Sequence, residues 1–514
     1  MNPARFSKIA ESLRQYRRAD LKEFTQEVGE SPVDQFYVDP LPNDGVLTAV
    51  VSSNTTFLVG RKGTGKSTVF AKAQSIIRQR QDVISVYIDV KRLYDIVTPD
   101  EVAQAGGDAD NVDAGMLREH LVRKHFLGVV LSELLKEIDA SIDSSSFLDR
   151  WFGRKKSYPT LKENLQRLQA SVNNATLIKS EVPVLQKITR KWKSRSQKES
   201  GQTNEAKAEG TVSVAGAKAS AHATVSDFDK TLEDNEIYNE YSDIILRSFP
   251  FQAILEEIQD LLAEVGLARL VVFFDHFSEL KYVDQKLFVD VVLGPLNNSS
   301  NDKVKLKIAG YPGRIYYGKI DPTKVDTISL DFSDLFEAAE VQNMENSAID
   351  YAERLIRTRF KAFDEPIEEY FDATIPLKDH FTTLFQTTFN VPRLMGALLH
   401  ICYLDRVSKN ATITPQAMRL AAQKYYESTI IQYFDRLNRF ALEPFENKMD
   451  RHNQQSMLQC LVSEARRVRR GIQDGTVGGI FQEVGQSAHE PLYRVSRPGK
   501  SIPFARVKFP SHEV

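Results

Sequence analysis

Residues Phe57–Phe70 read FLVGRKGTGKSTVF, and this segment indicates the fold more clearly than any other. Its apolar start predicts a buried strand, and the residues from Thr68 to Arg80 predict a helix. Between them, Gly60–Ser67 matches the pattern G-x-x-x-x-G-K-[ST] in the strand–loop–helix context that this pattern requires. We therefore predict a phosphate-binding P-loop, against the alternative of a glycine-rich turn that binds nothing.

Each residue type in this loop suits the binding of a nucleoside triphosphate. Glycines let successive backbone N–H groups converge on phosphate oxygens, and the N-terminus of the following helix adds partial positive charge. We expect Lys66 to reach the β- and γ-phosphates and the Ser67 hydroxyl to ligate Mg²⁺. The predicted cofactors are therefore ATP and Mg²⁺. The predicted nucleotide-binding residues of this stretch are Gly60, Arg61, Lys62, Gly63, Thr64, Gly65, Lys66, Ser67 and Thr68.

Length, charge and cysteine content narrow the class of protein. The 514 residues allow about two to four domains, and the net charge of −2 means that any nucleic-acid binding must be local. Cys402 and Cys460 do not have the spacing of metal ligands. The charged N-terminus lacks the apolar core of a signal peptide, and no run approaches the roughly 20 apolar residues of a membrane span. We expect a soluble cytoplasmic protein that does not contact a membrane.

Five apolar runs predict the strands of a core sheet. They lie near residues 57, 83, 270, 306 and 327 and are separated by helical patterns. This arrangement predicts an α/β fold with a parallel five-stranded sheet. A long segment from about 95 to 265 does not alternate and predicts a large helical insertion with a polar low-complexity piece. The prolines between Pro32 and Pro42 predict extended chain.

The predicted organisation has four parts. The tail contains two β-like runs around Pro498-Gly499-Lys500, which predict a hairpin that could be the wing of a winged-helix module. The predicted parts are an N-terminal helical segment (1–40), a P-loop ATPase core (41–335), a C-terminal helical lid (336–440) and a C-terminal helical and hairpin module (441–514).

A second motif, which is acidic, completes the pattern of a P-loop enzyme. The sequence VVFFDHFSEL places Asp275 directly after an apolar strand, which is the form of a Walker B motif. We expect Asp275 to hold Mg²⁺ through its water shell. The alternative is an aspartate that caps a helix. The strand predicted at 83–90 lies between the two motifs in the chain, and Asp89 stands at its carboxyl end, where parallel sheets place ligands.

With this intervening strand, residues from about 40 to 440 resemble the ASCE division of P-loop ATPases, which includes AAA+ and STAND proteins. Those proteins usually carry Glu or Asp directly after the Walker B Asp, as the base for the attacking water. Here that position is His276. We consider Glu279 the first candidate for this role and His276 the second, with a polar residue at a strand end as the alternative for His276.

The resemblance implies two further sites. In AGYPGR, Arg314 stands where these ATPases carry a sensor arginine near the γ-phosphate, and an exposed turn is the alternative. Pro392 and Arg393 resemble the lid element in which proline packs on adenine and arginine reaches phosphate. A proline in the first turn of a helix is the alternative for Pro392.

The resemblance also implies a function. Such proteins bind ATP and Mg²⁺, hydrolyse ATP, and work as conformational switches or motors in multi-subunit assemblies, several of them in antiphage defence or on DNA. We therefore expect an ATPase that forms a homo-oligomer or acts with a separate effector protein. The alternative is a nucleotide-gated scaffold with weak hydrolysis. The N-K-x-D sequence at Asn447–Asp450 does not follow an apolar strand, so we treat this guanine-reading motif as chance.

A basic stretch, residues 149–198, suggests one more partner. It holds thirteen Lys or Arg against three Asp or Glu, and both tryptophans, Trp151 and Trp192, lie in it. Basic residues interleaved with aromatic ones suit contact with nucleic-acid phosphates and stacking on bases. A solvated helical face or a dock for an acidic partner is the alternative.

Overall fold

The computed structural model describes most of the chain. The described residues are 1–14, 21–29, 31–80, 82–96, 114–143, 158–173, 251–298, 303–318, 320–336, 341–432, 451–473, 495–497 and 500–502.

A parallel sheet of five strands is the centre of the fold, as predicted. Its order is β2-β3-β4-β1-β5, and the register of β2 on β3 places Asp89 opposite Asp275. The five strands are β1 (Thr55–Val59), β2 (Val83–Asp89), β3 (Arg269–Asp275), β4 (Val304–Gly310) and β5 (Val325–Ser329). β2, β3 and β4 are almost completely buried, as expected of a covered parallel sheet, and most of their residues are apolar; the buried exceptions include Lys307 of β4.

Helices account for most of the other described residues. They are α1 (Pro3–Arg14), α2 (Thr25–Val28), α3 (Pro32–Phe36), α4 (Gly45–Val51), α5 (Lys66–Arg78), α6 (Val90–Ile96), α7 (Ala114–Asp143), α8 (Tyr158–Asn173), α9 (Phe251–Glu264), α10 (Tyr282–Phe288), α11 (Gly294–Asn298), α12 (Phe332–Leu335), α13 (Val341–Ala362), α14 (Leu377–Thr388), α15 (Pro392–Asp405), α16 (Pro415–Tyr425) and α17 (Arg451–Gln473). α7, α8 and α9 lie between β2 and β3 in the chain. Within the described residues, no helix is long and apolar enough to cross a membrane.

The prediction of extended chain between Pro32 and Pro42 is wrong in part. Pro32 is the first residue of α3, and Pro42 opens a short 3-10 turn. Proline has no backbone N–H and a fixed φ, so it fits the first turn of a helix as well as it fits extended chain. In the tail, β6 (Val495–Arg497) and β7 (Lys500–Ile502) pair antiparallel, as the predicted hairpin requires, and the other residues of the two predicted runs lie outside the described part of the chain.

The chain divides into two compact units. Unit 1 consists of Met1–Ile76, Ala309–Ile315 and Asp326–Val514, and unit 2 of Ile77–Ile308 and Tyr316–Val325. In unit 1, α1 packs closely on α15, where a Cβ on Gly396 would lie 2.7 Å from the Ala10 carbonyl. In unit 2, an aromatic cluster fills the core: Phe126, Phe251, Phe274 and Phe288.

Candidate functional site

The Gly60–Ser67 loop turns the chain from β1 into α5. Gly63 (φ +91°) and Gly65 (φ +97°) have the left-handed backbone that side-chain-bearing residues rarely adopt. The Thr64 hydroxyl donates to the Arg61 carbonyl at 2.9 Å, and the Val69 N–H donates to the Gly65 carbonyl at 2.9 Å at the start of the helix. The glycines of the motif therefore stand where this turn requires them.

Lys66 lies over the loop that precedes it. Its Nζ donates to the carbonyls of Gly60 at 2.6 Å and Arg61 at 3.0 Å, and lies 4.6 Å from the centre of the Tyr311 ring. Lys66 is only 8 % exposed, whereas Lys62 in the same loop is exposed. Charge-assisted hydrogen bonds and the aromatic face thus hold a positive charge at the loop. Ser67 and Thr68 follow in the first turn of α5, half-buried.

The chain after β4 and β5 flanks the same loop. The Gly60 N–H donates to the Gly310 carbonyl at 3.1 Å, and the Leu330 N–H donates to the Val59 carbonyl at 2.7 Å. Arg61 pairs with Asp331, with Nε 2.6 Å from Oδ1. These contacts fix the start of the turn to its neighbours in unit 1.

Arg314 lies in the turn after β4, three residues from Tyr311. Its N–H donates to the Tyr311 carbonyl at 3.1 Å, and Gly313 before it has φ +67°. Its side chain is exposed and makes no ion pair with another described residue. The turn therefore links Arg314 to the ring that contacts Lys66, while the guanidinium faces solvent.

The start of α15 lies against the loop. Pro392 is the first residue of this helix, and the Arg393 N–H donates to the Gly63 carbonyl at 3.4 Å. A Cβ on Gly63 would lie 2.7 Å from the Arg393 Cβ and 3.2 Å from Val391 Cγ1. Asn390, which stands where the related ATPases carry glycine, has φ +57° and donates from Nδ2 to the Ala348 carbonyl at 2.9 Å. Asparagine tolerates this backbone better than most residues, so the departure from glycine is accommodated.

In unit 2, Asp275 ends β3 with a buried carboxylate, 3 % exposed. The His276 N–H donates to its Oδ1 at 2.8 Å, and the Tyr87 hydroxyl donates to its Oδ2. Both carboxylate oxygens therefore accept a hydrogen bond from the protein. A carboxylate that is fixed in this way is better suited to a structural or metal-binding role than one that rotates freely on the surface.

His276 pairs with Asp89 across the register of β2 and β3. Its backbone is left-handed (φ +60°), and Nδ1 lies 3.3 Å from Asp89 Oδ1. The pairing with Asp89 raises the pKa of His276 above the usual histidine value, although burial opposes the rise. Burial acts to raise the pKa of Asp89, but the pairing with His276 and the charge of Arg92 outweigh it, so that this pKa lies below the usual value. Both shifts favour an imidazolium–carboxylate pair.

Glu279 ends the 3-10 turn Phe277–Glu279 and is half-buried. Its N–H donates to the His276 carbonyl at 2.9 Å, and its Oε2 lies 3.8 Å from Lys91 Nζ at the start of α6. Asp275, His276 and Glu279 are thus brought together in unit 2 with Asp89.

The sequence analysis did not identify Tyr87, which contacts Asp275, or Tyr311, which contacts Lys66. Tyr311 could have been noticed as the residue that directly follows β4 and its glycine. Tyr87 gives no local signal, because its contact with Asp275 depends on the pairing of β2 with β3.

Several predicted features fall outside the described residues. Of the basic stretch, only α8 is described, where Lys162 pairs with Asp139 at 2.6 Å; Trp151 and Trp192 lie outside. Asn447–Asp450 also lies outside. No family model matches the chain, and neither a curated protein nor a solved structure matches it.

Proposed function

We propose that this protein is a Mg²⁺-dependent P-loop ATPase. The observation that carries the proposal is the Gly60–Ser67 loop at a strand–helix junction, with glycine at both left-handed positions and the Lys66 ammonium held over it. Loops of this kind, followed by a helix N-terminus, are suited to binding the phosphates of a nucleotide.

The residues present fit ATP and Mg²⁺. No atom lies within 4 Å of a Cβ added at Gly65, and a backbone without a side chain there allows phosphates to approach closely. Hydroxyl and carboxylate oxygens, as in Ser67 and Asp275, are the ligands that Mg²⁺ prefers. When bound, Mg²⁺ would be held by Ser67 and Asp275 and would supply positive charge that offsets the charge of the phosphates.

The topology of the sheet supports the proposal. In the order β2-β3-β4-β1-β5, one strand stands between β1, which precedes the loop, and β3, which ends in Asp275. The carboxyl ends of parallel strands share one edge of a sheet, where α/β proteins bind ligands. In the chain it is β2 that lies between the two motifs, and the resemblance to the ASCE division is based on that strand.

We combine the motifs of the sequence with these contacts to propose a role in hydrolysis for each residue. We assign phosphate binding to Lys66, activation of the attacking water to Glu279, and stabilisation of the transferred phosphoryl charge to Arg314. We prefer Glu279 over His276 because the pKa of His276 is raised, which favours its imidazolium form. An imidazolium has no free lone pair on nitrogen with which to accept a proton from water. Pro392 and Arg393 open α15 within the proposed lid, and the contact of Arg393 with the loop can report nucleotide binding to the rest of unit 1.

A nucleotide-gated scaffold with weak hydrolysis is the second candidate. It is favoured by His276, which stands where the related ATPases place the water-activating carboxylate and is instead paired with Asp89. The first candidate acts as a switch or motor within a homo-oligomer or with a separate effector, whereas the second recruits a separate effector protein. In both candidates we propose that the protein is cytoplasmic. Antiviral defence and nucleic-acid binding through residues 149–198 are proposals from the sequence.

The test compares wild type, Lys66→Ala and Lys72→Ala. Lys72 lies on α5 as well, but its Nζ pairs with Asp34 at 2.7 Å, so this variant removes an equal charge away from the loop. ATP affinity and steady-state phosphate release are measured for all three. We expect Lys66→Ala to lose binding or turnover and Lys72→Ala to keep both. Since Lys66 also bonds to two loop carbonyls, thermal melting checks that the variant is folded.

Wild-type protein that binds no ATP with Mg²⁺ would contradict both candidates. Binding without measurable phosphate release, repeated with DNA, RNA and candidate partners present, would favour the scaffold.

A further inference from the structure

We propose that Tyr87 is a positioning residue that holds the Asp275 carboxylate in the orientation needed for Mg²⁺. This inference rests on the proposed function, because it concerns the metal side of the same site. The observation is direct: the Tyr87 hydroxyl donates a hydrogen bond to Asp275 Oδ2 within unit 2.

The contact follows from the register of two neighbouring strands. Tyr87 lies opposite Phe273 and Asp89 lies opposite Asp275, so the tyrosine stands two residues before the level of Asp275. Two residues of strand span about 6.6 Å, which a tyrosine side chain bridges when it leans along the strand. Tyr87→Phe would keep nearly the same side-chain volume and remove only the hydroxyl that donates to the Asp275 carboxylate.

The hydrogen bonds at Asp275 act from two sides. The His276 N–H holds Oδ1 at 2.8 Å, and the Tyr87 hydroxyl holds Oδ2. The backbone donor cannot be changed by substitution at His276, whereas the hydroxyl can be removed alone. Because Asp275 is 3 % exposed and Tyr87 is 7 % exposed, water does not readily replace the missing donor.

Groups that hydrogen-bond to metal-binding side chains orient them, and their loss typically lowers metal affinity or activity by 10–100-fold. We therefore expect Tyr87→Phe to weaken the dependence of ATP binding on Mg²⁺. ATP affinity in EDTA, which reports the phosphate-binding loop alone, should stay unchanged.

The experiment measures affinity for a fluorescent ATP analogue in a Mg²⁺ titration and in EDTA, without reference to turnover. Tyr94→Phe is the matched control, because the Tyr94 hydroxyl in the same unit donates to the Asp284 backbone carbonyl at 2.9 Å. We expect the Mg²⁺ concentration at half effect to rise about 10–100-fold in Tyr87→Phe and to stay at the wild-type value in Tyr94→Phe.

A second measurement separates positioning from general packing. If Tyr87 acts through Asp275, then adding Tyr87→Phe to Asp275→Asn should change the Mg²⁺ dependence no further. An effect of the same size in both backgrounds would overturn the proposal. So would a Tyr87→Phe single variant with wild-type Mg²⁺ dependence.

The two proposals can fail separately. Wild-type protein that binds no nucleotide would overturn the proposed function and this inference together. Wild-type protein with Mg²⁺-dependent binding, alongside an unaffected Tyr87→Phe variant, would overturn the inference alone.

Discussion

The backbone N–H of Arg393 donates a hydrogen bond to the carbonyl of Gly63, with 3.4 Å between the two atoms. This contact joins the first turn of α15 to the Gly60–Ser67 loop. The same helix packs on α1 at Gly396, where a side chain would collide with Leu13 Cβ at 2.7 Å. One helix in unit 1 therefore contacts both the proposed phosphate-binding loop and the N-terminal helix.

The first prediction concerns Gly63→Ala. The added Cβ would lie 2.7 Å from the Arg393 Cβ, and the φ of +91° is strained for alanine. We expect a loss of stability of at least the order of 1–3 kcal/mol that backbone strain alone costs, together with weaker ATP binding. Thermal melting and nucleotide titration measure the two effects.

Gly29→Ala is the matched control for this variant. Gly29 has a similar φ of +96°, but no atom lies within 4 Å of its added Cβ. It should lose stability through backbone strain and keep wild-type ATP affinity. Equal ATP affinity in both variants would contradict the role given to the contact between the loop and α15.

The second prediction concerns Glu279→Gln. The amide keeps the size of the side chain but cannot accept a proton, so turnover should fall by about 10²–10⁴-fold while ATP binding remains. Glu133→Gln is a suitable control, since Glu133 in unit 2 also pairs with a lysine, with Lys136 Nζ 2.7 Å away. Single-turnover phosphate release is the measurement. A normal rate in Glu279→Gln would move the role to His276 or to a partner subunit.

The sequence was sufficient to predict the sheet because four of its strands bury most of their residues, and the fifth, β5, keeps β-branched residues typical of strands. All five predicted strands are present, and Asp275 ends β3 as VVFFD suggests. The position of the Gly60–Ser67 loop between a strand and a helix was also predictable, because all three are neighbours in the chain.

Contacts between distant residues could not be predicted in the same way. Tyr87 and Asp275 are 188 residues apart, and only the pairing of β2 with β3 brings them together. The resemblance pointed to Arg393 through its side chain, whereas the contact that the structure adds is made by its backbone N–H. Backbone contacts depend on how a helix starts and carry no residue-specific signal.

The third prediction concerns Arg314→Ala. If the exposed guanidinium stabilises phosphoryl charge, its loss should slow turnover by about 10²–10³-fold, as for other transition-state donors. Arg419→Ala, which removes an exposed arginine from α16, should have no effect. Mixing Arg314→Ala with Lys66→Ala subunits then tests where the arginine acts. Recovered turnover in the mixture indicates action across a subunit interface, and unchanged turnover in Arg314→Ala alone contradicts the role.

The fourth prediction concerns the pH dependence of stability at Asp34, which ties α3 to α5. Its Oδ1 accepts from Lys72 Nζ at 2.7 Å, and its Oδ2 accepts from the Ser75 hydroxyl at 3.1 Å. Burial acts to raise the pKa of Asp34, but the hydrogen bonds from Lys72, Ser31 and Ser75 outweigh it and lower the pKa below the usual value.

The lowered pKa of Asp34 determines how stability changes with pH. The charged carboxylate contributes stability above the unfolded pKa of about 3.9, and the contribution is lost as pH falls through the lower folded value. At pH 7 the free energy of unfolding of wild type should therefore exceed that of Asp34→Asn by an amount on the order of 1 kcal/mol or less. This difference should vanish in acid. Asp364→Asn is the control, since its side chain makes no hydrogen bond or ion pair with another described residue. A difference for Asp34→Asn that stays constant from pH 7 to pH 3 would show that the charge of Asp34 does not stabilise the contact between α3 and α5.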